Sequence, residues 1–193
     1  MKLQIIRHCT TELNERSILQ GRLDVPIKPP NSKIDFSIKK YLLDYFDGNL
    51  PDIILTSQLK RTQETALYLG FDKFQIENLL DELDFGEFEG RQRTDFLKLH
   101  QEAWMTNPAS LILGEPVSSL ANRVKRFMVK YENCRYVLAF GHGAWMRCFL
   151  SLVQNDFQLK KMNQQKLNNL EMIRVQLVNQ AVQCVQVVPL SDK

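Results

Sequence analysis

With 193 residues, 44% of them hydrophobic and 24% charged, the chain has the composition of an ordinary folded protein, and its length predicts one domain over 1–193 with a substantial core. A net charge of +3 with both signs dispersed leaves no footprint for nucleic acid, and the doublets Lys39-Lys40 and Lys160-Lys161 read as solvated helix faces. No run approaches the roughly 18 to 20 apolar residues of a membrane span and Arg7 comes too early for a secretory leader, so a cytoplasmic setting without a membrane partner is expected.

The apolar run Leu3-Gln4-Ile5-Ile6 predicts a first strand that ends at Arg7-His8. Pro26 to Ser32 is the richest breaker cluster and predicts a surface loop, after which Ile34, Ile38, Tyr41, Leu42 and Tyr45 fall at helical spacing. Pro51-Asp52 introduces a strand over Ile53-Ile54-Leu55-Thr56, and Ser57 is the expected N-cap of a helix through Leu59, Thr62, Ala66, Leu67 and Leu69 that stops near Gly70. Phe74-Gln75-Ile76 and onward to Leu83 reads as a strand or extended segment leading into Asp84-Phe85-Gly86-Glu87-Phe88-Glu89-Gly90. A helix is predicted from Phe96 to Met105, ended by Asn107-Pro108, and another is marked by Val117, Leu120, Val124, Phe127, Met128 and Tyr131.

Tyr136-Val137-Leu138-Ala139-Phe140 is the clearest central strand, leaving through Gly141-His142-Gly143 into a helix over Ala144 to Val153. Met172 to Val178 and Val182 to Val188, joined by Asn179-Gln180, alternate as a hairpin. Strand and helix in alternation predict an α/β fold, a three-layer αβα sandwich whose mostly parallel sheet gains an antiparallel strand at one edge.

In such a sheet, ligands gather where the parallel strands end. Arg7 and His8 leave the first strand, Arg61 sits in the first turn after the second, and His142 leaves the central strand between two glycines that let backbone approach a ligand. Each alone has an ordinary explanation, a surface arginine or a turn histidine; together they suit phosphoryl transfer. Arginine offers a planar fork of donors to phosphate oxygens, one histidine can be a nucleophile, and a second can stabilise the charge of the transition state. An acid for the leaving oxygen is available among Glu82, Asp84, Glu87 and Glu89. The cysteines Cys9, Cys134, Cys148 and Cys184 are scattered without metal spacing to His8, His100 or His142, which makes a zinc site unexpected.

Five ordered stretches resemble the histidine phosphatase superfamily in its phosphoglycerate-mutase-like branch. Arg7-His8-Cys9-Thr10-Thr11-Glu12-Leu13-Asn14 is similar to R-H-G-x-T-x-x-N, and Gln20-Gly21-Arg22-Leu23-Asp24-Val25-Pro26-Ile27 to Q-G-x-x-D-x-P-L. Ser57-Gln58-Leu59-Lys60-Arg61-Thr62-Gln63-Glu64-Thr65-Ala66 resembles S-x-L-x-R-A-x-Q-T-A, Leu80 to Gly86 with Glu89-Gly90 resembles L-x-E-x-x-F-G-x-x-E-G, and Val137 to Gly143 resembles a strand ending in S-H-G. The resemblance implies His8 as the nucleophile that becomes phosphohistidine, and Arg7, Arg61, His142 and the Gly143 amide as ligands of the phosphoryl oxygens. It places Asn14, Gln20 and Gly21 at the rim and makes Glu82 the acid and then the base. With arginines supplying positive charge, neither metal nor other cofactor is expected. Asp84-Phe85-Gly86 also matches a protein-kinase motif, but no glycine-rich phosphate loop, strand lysine or H-R-D loop accompanies it.

Two departures bear on the site. Cys9 replaces a glycine, either crowding the phosphate or packing in an apolar gap, and Gly141 replaces a serine hydroxyl. The loop Lys28 to Lys33 differs too, at the periphery. The expected activity is hydrolysis of a small phosphomonoester through phosphohistidine, since the segment of about 91–116, expected to cap the site, is short for the lid of a mutase. The alternatives are mutase-type phosphoryl transfer and an inactive phosphate-binding homologue. Sugar phosphates, α-ribazole phosphate and phosphoglycerates all fit as substrates, and a homodimer is one oligomeric state open to the chain.

Overall fold

The structure, a computed structural model, describes residues 1–28, 36–155, 158–159, 161–178 and 181–190. In chain order the elements are β1 (Lys2–Arg7), α1 (Glu12–Glu15), α2 (Phe36–Asp44), β2 (Ile53–Thr56), α3 (Lys60–Tyr68), β3 (Gln75–Ile76), α4 (Arg93–Thr106), α5 (Val117–Lys130), β4 (Tyr136–Gly141), α6 (Gly143–Gln154), β5 (Glu171–Val178) and β6 (Ala181–Pro189). The six strands form one sheet in the order β3-β2-β4-β1-β5-β6. β1 to β4 pair in parallel, whereas β5 runs antiparallel to β1 and β6 antiparallel to β5, so the predicted hairpin extends one edge.

Each central strand is buried on both faces, which is why its sequence is a nearly continuous apolar run. Leu3, Ile5, Val137 and Ala139 face a core shared with α4, α5 and α6, while Ile6, Leu138 and Phe140 face a second core with residues of the α2 and α3 layer, Leu42, Phe46 and Ala66. Two cores on opposite faces make the fold a three-layer α/β sandwich. Buried Gln4 fits the second core because its Nε2 donates to the Leu42 carbonyl (2.7 Å), tying the end of α2 to β1. α5 presents Val117, Leu120, Ala121, Val124 and Phe127, the i, i+3, i+4, i+7 stripe of a helix packed on one side.

Several boundaries differ from the sequence expectation for identifiable reasons. α4 starts at Arg93, ahead of its first buried residue Phe96, because its opening turn is polar and carries Asp95 at the positive end of the helix. β3 is only Gln75–Ile76, and the expected extension to Leu83 becomes a 3-10 turn over Asn78–Leu80. Glu77 breaks the strand there by accepting from the Leu79 amide, Lys130 and the Tyr131 hydroxyl. Ser57 is not the N-cap: α3 begins at Lys60 after Leu59, and the Ser57 hydroxyl is engaged elsewhere. The expected loop beyond residue 28, the start of the helix at Ile34, and the link Asn179-Gln180 lie outside the described residues. No helix among the described residues is long and apolar enough to cross a membrane.

Phe127 is buried and packs edge-on against Trp145 at 5.3 Å between ring centroids, joining α5 to α6 behind the sheet. Phe127→Ala is expected to cost about 3–5 kcal/mol, checked as a lower urea midpoint with an unchanged slope.

Candidate active site

The sheet registers bring three strand ends level. Arg7 pairs with Gly141 across β1 and β4, Thr56 with Phe140 across β2 and β4, and the His8 amide continues the ladder by donating to the Gly141 carbonyl (3.0 Å). A cavity of about 250 Å³ opens there, walled by Arg7, His8, Arg61, Glu82 and Gly143 together with Asn14, Gln20 and Gly21. Of the residues expected from the sequence, His142 alone stands off the wall, its ring 5.4 Å from that of His8 and fully buried.

His8 is oriented by its neighbour. Its Nδ1 lies 2.7 Å from the Cys9 carbonyl, which can only accept, so Nδ1 carries the proton and Nε2 keeps its lone pair. Burial, and then the charges of Arg61 and Arg7, hold the His8 pKa well below the ordinary histidine value. The ring is therefore neutral near neutrality, which a nucleophile requires.

Arg61 is buried and held by three acceptors: its Nε donates to His142 Nδ1 (3.1 Å), Nη1 to the Leu23 carbonyl (2.7 Å) and Nη2 to the Gly21 carbonyl (2.7 Å). Burial pushes its pKa down to about 10, which leaves it charged. The bond from Arg61 makes His142 Nδ1 an acceptor, so Nε2 bears the proton and donates to Ser57 Oγ (2.8 Å). Burial and Arg61 keep His142 neutral as well. Ser57 also accepts from the Leu59 amide (3.1 Å) and meets Thr62 Oγ1 at 2.9 Å, which is the use that takes it away from capping α3.

Arg7 donates through Nη1 to the Leu167 carbonyl, while its Nε is buried without a partner. Glu82 lies at the head of α6, where Oε2 accepts from the Ala144 amide and Oε1 from the Trp145 and Leu83 amides, each at 3.0 Å. Gly143 is the first residue of that helix, and the helix itself leaves its N–H unpaired. A Cβ at Gly143 would come within 3.3 Å of the guanidinium of Arg7 and of Arg147 Nη1, so the glycine allows an approach that a larger residue would tighten by a few tenths of an ångström. At Gly141 a Cβ would meet nothing nearer than Ile5 at 3.4 Å, an ordinary contact.

Among the rim residues, Asn14 caps α1 with Thr11 and its Oδ1 is used by Thr11, leaving its amide donors for the cavity. Gln20 is buried with Oε1 unpartnered. Gly21 has φ +48°, and a Cβ there would lie 1.9 Å from Glu89 Oε1. The thiol of Cys9 is buried and not on the cavity wall, and burial raises its pKa to about 11. Its backbone serves the site instead, the amide donating to Thr65 Oγ1 (2.8 Å) and the carbonyl holding His8.

Arg93, Phe96 and Trp104, within the segment expected to cap the site, line the cavity too, as do Phe85, Arg147 and Asn169, which were not anticipated as site residues from the sequence. Arg147 was legible in principle, lying one helical turn after Gly143 and so on the same face of α6. Asn169 gave no local signal: it comes from the turn before β5 and donates to the His8 carbonyl (2.8 Å).

The family model described as "Histidine phosphatase superfamily (branch 1)" matches residues 3–188. The chain belongs to that family. Phosphoserine phosphatase 1 of Hydrogenobacter thermophilus is 29% identical over 158 residues, covering 76% of this chain and 73% of that protein. Human 6-phosphofructo-2-kinase/fructose-2,6-bisphosphatase 4 is 27% identical over 159 residues, 77% of this chain but only 32% of that longer protein. The crystal structure of phosphoserine phosphatase from Entamoeba histolytica in complex with 3-phosphoglyceric acid superposes with a TM-score of 0.75 at 19% identity, covering 98% of each chain, which shows the shared histidine phosphatase fold.

The two neutral histidines of this histidine phosphatase set a pH dependence of stability. Their folded pKa values lie below the unfolded value of about 6.5, so the unfolded chain binds more protons in acid and stability falls as pH drops through that value. Between pH 7.5 and 5.5 the loss is expected to be about 1 kcal/mol per histidine. Urea unfolding at the two pH values should show a smaller loss in a His8→Asn/His142→Asn double variant.

Proposed function

We propose that this histidine phosphatase hydrolyses a small phosphomonoester through a phosphohistidine on His8. The observation that carries the reading is the Nδ1–H bond to the Cys9 carbonyl, which leaves Nε2 as the unprotonated nitrogen of a residue that shares the cavity wall with Arg7 and Arg61. Nε2 attacks phosphorus and the bond to the leaving oxygen breaks, with Glu82 delivering its proton to that oxygen. Water then attacks phosphorus from the solvent side, the P–N bond breaks, and Glu82 takes the water proton, returning free His8 and orthophosphate. Arg7, Arg61 and the Gly143 amide hold the non-bridging oxygens as charge is redistributed among them. His142 fixes the Arg61 guanidinium through Nδ1.

In this reading the segment of about 91–116 is the cap, supported by Arg93, Phe96 and Trp104 of α4 on the cavity wall. One helix of 14 residues and a loop are little chain with which to shield a phosphohistidine, so water is the acceptor in this reading rather than a second metabolite. The names of the relatives, phosphoserine phosphatase and fructose-2,6-bisphosphatase, support a small phosphorylated metabolite as substrate.

Rapid quench with a 32P-labelled alkyl phosphate is expected to trap label on His8 and release it to water. Failure of the folded protein to form labelled histidine, or passage of label to an organic acceptor, would overturn hydrolysis through this intermediate. Glu82→Gln should lower kcat for an alkyl phosphate by about 10²–10⁴-fold and for p-nitrophenyl phosphate far less, since that leaving group departs without a proton. Equal losses on both substrates would remove Glu82 as the acid.

A further inference from the structure

Glu82, the acid of the proposed reaction, sits in residues 81–85, which form neither helix nor strand. Backbone outside a ladder keeps its place only as far as its N–H and C=O groups find partners elsewhere. Here two side chains in and just before α5 supply them. Arg123 donates through Nη1 to the Asp81 carbonyl (2.6 Å) and through Nη2 to the Glu82 carbonyl (3.3 Å). Glu115 Oε1 accepts from the Asp84 amide (3.1 Å), and the Glu115 amide donates to the Asp84 carbonyl (3.3 Å). Arg123 Nη2 also donates to the same Oε1, so the two side chains form one clamp over residues 81–84.

A second arginine closes the cluster. Arg22 Nη1 donates to Asp81 Oδ2 (3.0 Å), and its Nη2 lies 3.6 Å from Glu115 Oε1. Two arginines thus face two carboxylates, and these four side chains have no net charge to impose on Glu82. What they supply is position. The backbone of Glu82 is held by the clamp, while its carboxylate is held by the amides at the head of α6. Neither Arg123 nor Glu115 is on the cavity wall, so neither meets a ligand bound there.

Building on Glu82 as the acid, we infer that Arg123, braced by Glu115, is a positioning residue for the proton transfer to the leaving oxygen. Its planar fork spans two successive carbonyls and a carboxylate, a geometry that the single ammonium of lysine does not reproduce. A displacement of about 1 Å at a reacting group can cost on the order of a hundredfold in rate, so a slack Glu82 loses much of its value as an acid.

Full-length Arg123→Gln is expected to lower kcat for an alkyl phosphate about ten- to hundredfold, with KM little changed because the phosphoryl contacts remain. The loss on p-nitrophenyl phosphate should be far smaller, since that leaving group needs no proton. A residue that only stabilised the fold would slow both substrates alike, and that result, where Glu82→Gln does discriminate, overturns the inference. Arg123→Lys keeps the charge without the fork and keeps the test open if Arg123→Gln fails to fold. It should show the same leaving-group dependence, and full activity in it overturns the role given to the fork. Adding Arg123→Gln to Glu82→Gln then measures the coupling directly. The double variant should turn over the alkyl phosphate at nearly the rate of Glu82→Gln alone, whereas losses that multiply overturn the inference. This coupling is expected whatever step Glu82 serves, so it stays readable if Glu82→Gln slows both substrates alike and the acid assignment falls. Absence of turnover in the unsubstituted protein overturns the reaction itself, and this inference with it.

Discussion

Arg61 carries a full positive charge at 1% exposure, and among the described residues no carboxylate forms an ion pair with it. Removing a guanidinium from water costs several kcal/mol unless its N–H groups find acceptors. Here the acceptors come from two separate parts of the chain, the Gly21 and Leu23 carbonyls after α1 and the imidazole of His142 before α6. One side chain thus staples the β2–α3 unit to the loop that follows β1 and to the head of the last helix. The conformations of its partners follow from that demand. Gly21 adopts φ +48° where the carbonyl reaches Arg61, and His142 is fixed as the tautomer whose Nδ1 accepts. Carbonyls and a neutral ring satisfy the donors without neutralising the charge, so the charge stays available to an anion.

The head of α6 is the second positive element, and Glu82 is the negative group that meets it. Helix amides and the aligned peptide dipoles favour an anion at this end. Glu82 occupies the Ala144 and Trp145 amides, which places an acid beside the Gly143 amide without letting it fill the site. Gly143 itself lets Arg7 and Arg147 approach the helix start, since a Cβ there would come within 3.3 Å of both. A glycine, a carboxylate and two guanidinium groups therefore depend on one another sterically as well as electrostatically.

Much of this was legible because the signals are local. Leu3 to His8, Ile53 to Arg61 and Tyr136 to Gly143 each encode a buried parallel strand followed by a polar strand end, and sheet topology alone then brings Arg7, His8 and Arg61 together. The hairpin and the α5 stripe followed from periodicity in the same way. Ser57 shows where local rules stop: its residue type says N-cap, yet a histidine 85 residues later takes the hydroxyl. Glu77 ends β3 early through partners on α5 and just beyond it, which no local pattern reveals. Arg93 and Arg147 look like surface charges on helices until α4 and α6 are seen to face one cavity. Cys9, suspicious in sequence because it replaces glycine, is unobtrusive because its side chain is off the cavity wall and only its backbone touches His8.

The low proton affinity of His8 serves the two proposed half-reactions differently. A less basic imidazole is a weaker nucleophile towards phosphorus, which slows the first step. It is also a better leaving group from the P–N bond, which hastens the second, and it is never lost to protonation near neutrality. Burial and the two arginines push in this direction, while the Cys9 carbonyl opposes them by stabilising the proton on Nδ1. That carbonyl bond matters most when Nε2 carries the phosphoryl group, because the ring is then cationic and Nδ1–H is its remaining polar contact. An incoming phosphoryl dianion offsets the charge of Arg7 and Arg61 and so restores basicity to His8 when it must attack. In the proposed reaction the arginines that hold the phosphoryl group thereby adjust the histidine in step with it, because the charges that lower its basicity are the ones the phosphoryl group offsets.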